Sequence, residues 1–190
     1  FSAATTVQFR LSGAKKMFDF WQVQSEKLLF PEIAWSKPEQ KTHAGKILIV
    51  GGGAGNFRGL SLAYEMALKT GVGQAKVLAP DSLRKFLKID KLTDVIFAPS
   101  NNSGGFSSQA WADFKAGEAW ADLILLIGDT NKNSETAVQL EKFLLETEKP
   151  VVIARDAVDI LMNSFAEIRE KDNIAIIASF AQLQKIFLSV

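Results

Sequence analysis

Glycines crowd one place in this chain. The run Lys46 to Gly59, KILIVGGGAGNFRG, ends a short aliphatic segment and sets Gly51, Gly52, Gly53 and Gly55 within five residues, before a helical pattern begins. Glycine adopts positive φ and lets a backbone or a phosphate come close. Strand, glycines, helix is therefore the sequence form of a phosphate cradle, in which N–H groups and a helix dipole face an anion. The same residues also suit a tight strand-to-helix turn, and both readings stand at this point. A P-loop is excluded, because no Gly-Lys-Ser/Thr follows and Arg58 is the only nearby cation. The dinucleotide fingerprint GxGxxG is missed as well: its last glycine falls on Asn56 when counted from Gly51 and on Arg58 when counted from Gly53. Asp81 stands where a ribose-binding acid would, but farther from the glycines than the usual spacing of about 20 residues, which keeps a Rossmann-type dinucleotide binder only as an alternative.

Further chemistry-bearing groups follow later aliphatic runs. Gly128, Asp129 and Asn131 lie in GDTNKNS (128–134), and Asp156 and Asp159 lie in RDAVDIL (155–161). An aspartate just after a strand caps the next helix or, facing a cleft, serves a Mg²⁺ or nucleotide site; Asp156 carries both readings. His43 is the sole histidine, so a two-histidine zinc site is excluded and any histidine-based triad would have to use this residue. It precedes the first aliphatic run, away from the expected ligand edge, where a solvated or capping role is expected. Cysteine is absent, which removes disulfides, thiolate zinc sites and cysteine nucleophiles, and fits a reducing compartment; a cytoplasmic location is expected. The formal charge of +1, from 22 Lys plus Arg against 21 Asp plus Glu, supplies no field for a polyanion, so neither nucleic acid nor a membrane is expected as a partner. No apolar run approaches the roughly 20 residues that span a bilayer.

These residues are spaced by a regular alternation. Aliphatic runs recur as KILIV (46–50), QAKVLA (74–79), DVIFA (94–98), LILLI (123–127), PVVIA (150–154) and NIAIIA (173–178), each apolar on both faces, as parallel strands covered on both sides are. Between them, LSLAYEMALKTG (60–71), SQAWADFKAGEAW (108–120) and SETAVQLEKFLLETE (134–148) have helical periodicity. The pattern predicts an α/β sheet with right-handed crossovers. Its ligand edge lies at the carboxyl ends of the strands and gathers GGGAGN (51–56), PD (80–81), PSNNSGGF (99–106), GDTNKNS and RD (155–156), where an anion would be welcome. At 190 residues one core is expected, and no linker divides it. Residues 1–16 carry Arg10, Lys15 and Lys16 with no acid and read as a leader or flexible arm, with Met17 as a native start and a single domain over 17–190. Phe18, Phe20, Trp21, Phe30 and Trp35 are expected to pack the opening segment, and Phe106, Trp111 and Trp120 are expected to be buried rather than to form a dimer surface.

Taken in series, residues 43–80, 120–144 and 148–161 resemble the ADP/ATP-dependent NAD(P)H-hydrate dehydratases, a carbohydrate-kinase-like branch of the ribokinase-like superfamily. In that family a strand ends in GGS, an Ala/Leu-rich helix follows, and a GAGLV turn leads into the next strand; IVGGG, LAYEMALKTG and GVGQAKV are similar in order and spacing. Its GPGLG loop resembles GDTNKNSET, and its DADALN strand end resembles ARDAVD. The departures are as informative. Only Gly128 keeps the GPGLG pattern, Ala154 replaces the first acid of DADALN and leaves Asp156 as the retained one, and IASFAQ (177–182) lacks the histidine and glutamate of the family's TPHPGE. Positions for the family's later anion hole and catalytic aspartate are not found up to Val190, so the resemblance implies a fragment or a reduced, catalytically inactive member. It implies a three-layer ribokinase-like sandwich with a mostly parallel sheet. It also implies ADP or ATP with Mg²⁺, phosphoryl transfer to the hydroxyl of hydrated NAD(P)H, and elimination of phosphate. The partner expected is a small nucleotide or NAD(P)H-related ligand, with a homo-oligomer left open. In that scheme Gly51, Gly52, Gly53 and Asn56 shape one wall of a cleft, Gly128, Asp129 and Asn131 the other, and Asp156 faces into it, with no residue assigned as catalytic base.

Overall fold

A computed structural model describes residues 26–36, 38–86, 94–131 and 133–189. The expected leader, Met17, Phe18, Phe20, Trp21 and Lys132 lie outside the described residues. The chain forms two compact units, Phe1–Lys37 and Pro38–Val190. In the first, Pro31–Ala34 makes a 3-10 turn that opens on a proline, whose missing N–H costs nothing there. The Trp35 and Ser36 N–H groups close it on the Glu32 carbonyl, each at 3.0 Å.

The second unit holds the sheet. Strands β1 (Lys46–Gly51), β2 (Gln74–Pro80), β3 (Val95–Ala98), β4 (Leu123–Gly128), β5 (Val151–Ala154) and β6 (Ile174–Ile177) are all parallel, in the order β3-β2-β1-β4-β5-β6. The chain runs outward from β1 to β3, returns to β4, and runs outward again to β6. Order therefore reverses between β1 and β4, which sets the ligand crevice of such a sheet at their carboxyl ends.

Alternation along each strand feeds two cores. In β1, Leu48 and Val50 join one and Ile47 and Ile49 the other; in β4, Ile124 and Leu126 oppose Leu125 and Ile127. Helix α1 (Arg58–Lys69) seals the second core with Leu60 and Tyr64. Helices α2 (Trp111–Trp120), α3 (Ser134–Glu146), α4 (Asp156–Ile160) and α5 (Phe165–Ile168) cover the first. Phe114 sits between Phe106 and Phe143 there, with ring centroids 5.0 and 5.1 Å away in tilted or edge-on contact, worth about 1 kcal/mol per pair beyond burial. Phe106 is fully buried and Trp111 and Trp120 are partly so, in line with the sequence. The last helix, α6 (Phe180–Ser189), follows β6.

All six aliphatic runs are strands. β6 differs from expectation in one respect: it is apolar but largely exposed, at the edge of the sheet beside β5. Among the described residues no helix is long and apolar enough to cross a membrane.

Candidate functional site

The glycine loop after β1 is closed on itself. The Gly53 N–H donates to the Asn56 carbonyl and the Asn56 N–H to the Gly53 carbonyl, both at 2.9 Å, with Gly55 at φ 79° turning the chain between them. The Gly52 N–H donates to the Gly128 carbonyl at 2.7 Å, and the Ala54 N–H to the Gly104 carbonyl at 3.2 Å. A phosphate cradle needs successive N–H groups aimed outward. Here those of Gly52, Gly53, Ala54 and Asn56 already hold carbonyls of the chain.

Close approach is the other reason for glycine. A Cβ on Gly51 would collide with the Gly128 carbonyl, one on Gly52 would lie 2.6 Å from Leu83, and one on Gly53 would lie 2.8 Å from the Asn131 nitrogen. The two walls expected to flank a cleft therefore touch at Gly53 and Asn131.

The first turn of α1 meets a carboxylate. Its N-cap residue, Phe57, offers no side-chain acceptor. Asp129, 1% exposed and in the loop after β4, accepts the Gly59 and Leu60 N–H groups on Oδ2, the latter at 3.1 Å. Its Oδ1 accepts from Arg155 Nη2 at 3.0 Å. Gly59 is the residue that admits this pair, since a Cβ there would lie 2.6 Å from Asp129 Oδ2 and 2.7 Å from Arg155 Nε. The carboxylate thus stands where the positive end of the helix dipole and its free donors would draw an anion. Asp156 supports it from behind: its Oδ1 accepts the Asp129 N–H at 2.9 Å, so it braces a backbone group and is not the N-cap of α4, a place taken by Arg155. Asp129 (φ 57°) and Arg155 (φ 58°) are the positive-φ non-glycine residues among those described. Such conformations cost roughly 1–2 kcal/mol each and persist where surrounding contacts impose them. Both belong to one ion pair.

Polar side chains stitch the rest of the edge. Asn101 accepts the Ser103 and Gly105 N–H groups at 3.0 and 3.1 Å and donates to Asn133 at 3.1 Å. Asn133 caps α3 through the Glu135 N–H at 2.8 Å and donates to Ser103 Oγ at 2.9 Å, while Asn131 donates to the Ser103 carbonyl. Asp81 accepts the Ser100 N–H at 3.1 Å, which ties the proposed ribose acid to the loop after β3. Thr130 is the exception: its buried hydroxyl has no hydrogen-bond partner among the described residues. Beside this seam a shallow pocket of about 230 Å³ is lined by Asn133, Ser134, Ala137, Asp159 and Ile160.

Gly51, Gly52, Gly53, Asn56, Gly128, Asp129, Asn131 and Asp156, chosen from sequence, thus meet at the carboxyl ends of β1 and β4 or directly behind them. His43 is exposed in a 3-10 turn before β1, at the opposite end of the sheet. Sequence reasoning missed Gly59, Arg155, Asn101 and Thr130. Arg155 could have been found as the neighbour of Asp156 at a strand end; the others lie in stretches the sequence singled out, GDTNKNS, PSNNSGGF and KILIVGGGAGNFRG, but carry no signal of their own. Mg²⁺ finds no ready donor set: among the described residues no three acids or histidines gather, and Asp129 and Asp156 already hold backbone N–H groups and Arg155. The phosphate of a nucleotide does not fit at α1 for the same reason.

No family model matches the chain, and no curated protein matches it. A solved structure does: a ribokinase-like superfamily protein (EF1790) from Enterococcus faecalis V583, with a TM-score of 0.63 and 13% identity over 79% of this chain and 51% of that one. The fold is therefore a ribokinase-like α/β sandwich. The chain spans about half the length of that structure.

Proposed function

We propose that this chain is a nucleotide-binding member of the ribokinase-like fold whose glycine-rich edge is a structural seam and carries no phosphoryl transfer. One observation carries the reading: the Asp129 carboxylate, held by Arg155, occupies the first-turn N–H groups of α1 that would otherwise draw a phosphate to the glycine-rich edge. Likeness to a ribokinase-like structure supports nucleotide handling in general terms. Among the described residues, one group that can meet a ligand over this edge is Arg155, whose side chain is 52% exposed beside its partner. An exposed guanidinium recognises an anion or stacks on a base, and neither interaction requires a particular phosphate count.

Thermal shift against ADP, ATP, AMP, NAD and NADPH, with and without Mg²⁺, tests it. A ligand at about 100 times its dissociation constant adds roughly 2.7 kcal/mol, or roughly 5 to 10 °C for a domain of this size. AMP is expected to stabilise as well as ATP, with no effect of Mg²⁺. A flat response throughout would sink the proposal.

The second reading is an ADP/ATP-dependent NAD(P)H-hydrate dehydratase. It is favoured by the ordered series of similar motifs and by the span of about half the solved structure, the other half of which has no counterpart here. Its signature in the same screen is a Mg²⁺-dependent preference for ADP or ATP over AMP, followed by loss of hydrated NADPH in an assay with either nucleotide.

A further inference from the structure

The carboxylate at the head of α1 is held as a bound ligand is held. Helix α1 brings no counter-charge of its own: its N-cap residue Phe57 has no side-chain acceptor, its first residue is Arg58, and its first turn contains no acid. Helix α3 shows the ordinary solution, with Asn133 as cap and Glu135 in the first turn. The anion on α1 comes instead from outside the helix. Asp129, its side chain 2% exposed, takes the Gly59 and Leu60 N–H groups on Oδ2 and Arg155 Nη2 on Oδ1. Three donors from two elements far apart in sequence thus converge on one buried carboxylate. Each donor has its own anchor. The two N–H groups are fixed by α1, and the Arg155 backbone by the Val158 N–H and by Gln182 Nε2, which donate to its carbonyl at 3.3 and 2.8 Å. The loop backbone is held as well, because Asp156 accepts the Asp129 N–H, a group that any residue but proline supplies. Thr130, next in the loop, buries a hydroxyl with no partner among the described residues, a donor that the seam leaves over.

We propose that the first turn of α1 and Arg155 form a built site for a small oxyanion, and that the Asp129 carboxylate is its resident occupant rather than part of its walls. The inference goes beyond the nucleotide reading and does not rest on it. Removal of the carboxylate then leaves two N–H groups, a guanidinium and the positive end of a 12-residue helix facing a gap of carboxylate size. Gly59 keeps that gap open, since a Cβ there would lie 2.6 Å from the present Oδ2 and 2.7 Å from Arg155 Nε. The ligand class follows from the donors. All are N–H groups, a set that repels a cation and favours a formate-like carboxylate or one edge of a phosphate. In the intact chain Asp129 competes with any such group, so an anion from solution reaches only the exposed half of Arg155.

Asp129→Gly opens the site, because glycine suits the φ of 57° and leaves the loop backbone in place. The probe is sodium formate against sodium chloride at equal ionic strength, with the melting temperature of the full chain as the readout and no nucleotide present. For a dissociation constant on the order of 10 mM, about 100 mM formate is expected to raise the Tm of Asp129→Gly by roughly 3–5 °C. Wild type, its site filled, should show only the general salt effect, and Asp129→Gly combined with Arg155→Met should respond like wild type. Asp129→Ser, which also clears the carboxylate, takes the place of the glycine variant if that one does not fold. A cleared variant that gains no more from formate than wild type overturns the proposal, as does a gain that survives the loss of Arg155. Cleared variants that fold in neither salt overturn it too, because the donors then do not accept a free anion in place of the side chain.

Discussion

At the carboxyl ends of β1 and β4, polar groups of the chain meet each other: loop N–H groups find carbonyls, Asp129 finds the first turn of α1, and Arg155 finds Asp129. At β6 and α6, 84% of Phe187 and of Leu188 stands in solvent. The first region has the composition of a ligand site, glycines and acids after strands, and behaves as a seam. The second has the composition of a core and lies on the surface. Satisfaction of polar groups and burial of apolar ones are separate demands on a fold, and residue type alone does not say which demand is met from inside the chain.

The comparison can be broken first at Gly59. In an exposed helix Gly→Ala stabilises by about 1 kcal/mol, but here the new methyl meets Asp129 and Arg155, so Gly59→Ala is expected to lower unfolding free energy in urea by roughly 2–3 kcal/mol. A stabilised variant would mean the seam is loose. Next comes Asp129→Ala, which strips the α1 donors and leaves Arg155 unpaired, at a cost of roughly 1–3 kcal/mol. Asp129→Gly removes the same carboxylate but suits φ 57°, and should be about 1 kcal/mol milder; equal losses would show that backbone strain at 129 is unimportant. The smallest effect sharpens the contrast. Phe180→Ser should change the unfolding free energy by less than about 0.5 kcal/mol, and a loss above about 2 kcal/mol would place Phe180 in a packed interior.

Much of the sheet was legible because its physics is local. Ile47 to Val50 and Leu123 to Ile127 are continuous aliphatic runs, as strands buried on both faces are. The glycines were legible as a place but not as a role. Whether Gly53 opens toward a ligand or closes on Asn56 depends on where Gly104 and Asn131 arrive, and no period in the sequence encodes that arrival. Asp156 was read as a helix cap or a cleft carboxylate, whereas its acceptor is used by the backbone of Asp129, a partner 27 residues away. Arg155 escaped notice for the converse reason, as a single cation beside the acids that drew attention in ARDAVD. β6 was read as buried because NIAIIA has the same composition as the central strands, and edge position is a property of the order of all six strands.

The cap of α1 comes from a residue 70 positions later in the chain. During synthesis, β1, α1 and β2 emerge well before β4, so for that interval the helix lacks its acceptor and β1 lacks one of its two neighbours. Contacts of such separation carry loop-closure entropy and slow the search for the native state. The closed edge of the finished molecule thus implies an open nascent one, in which β1 has an unpaired side until the chain through Asp129 has emerged.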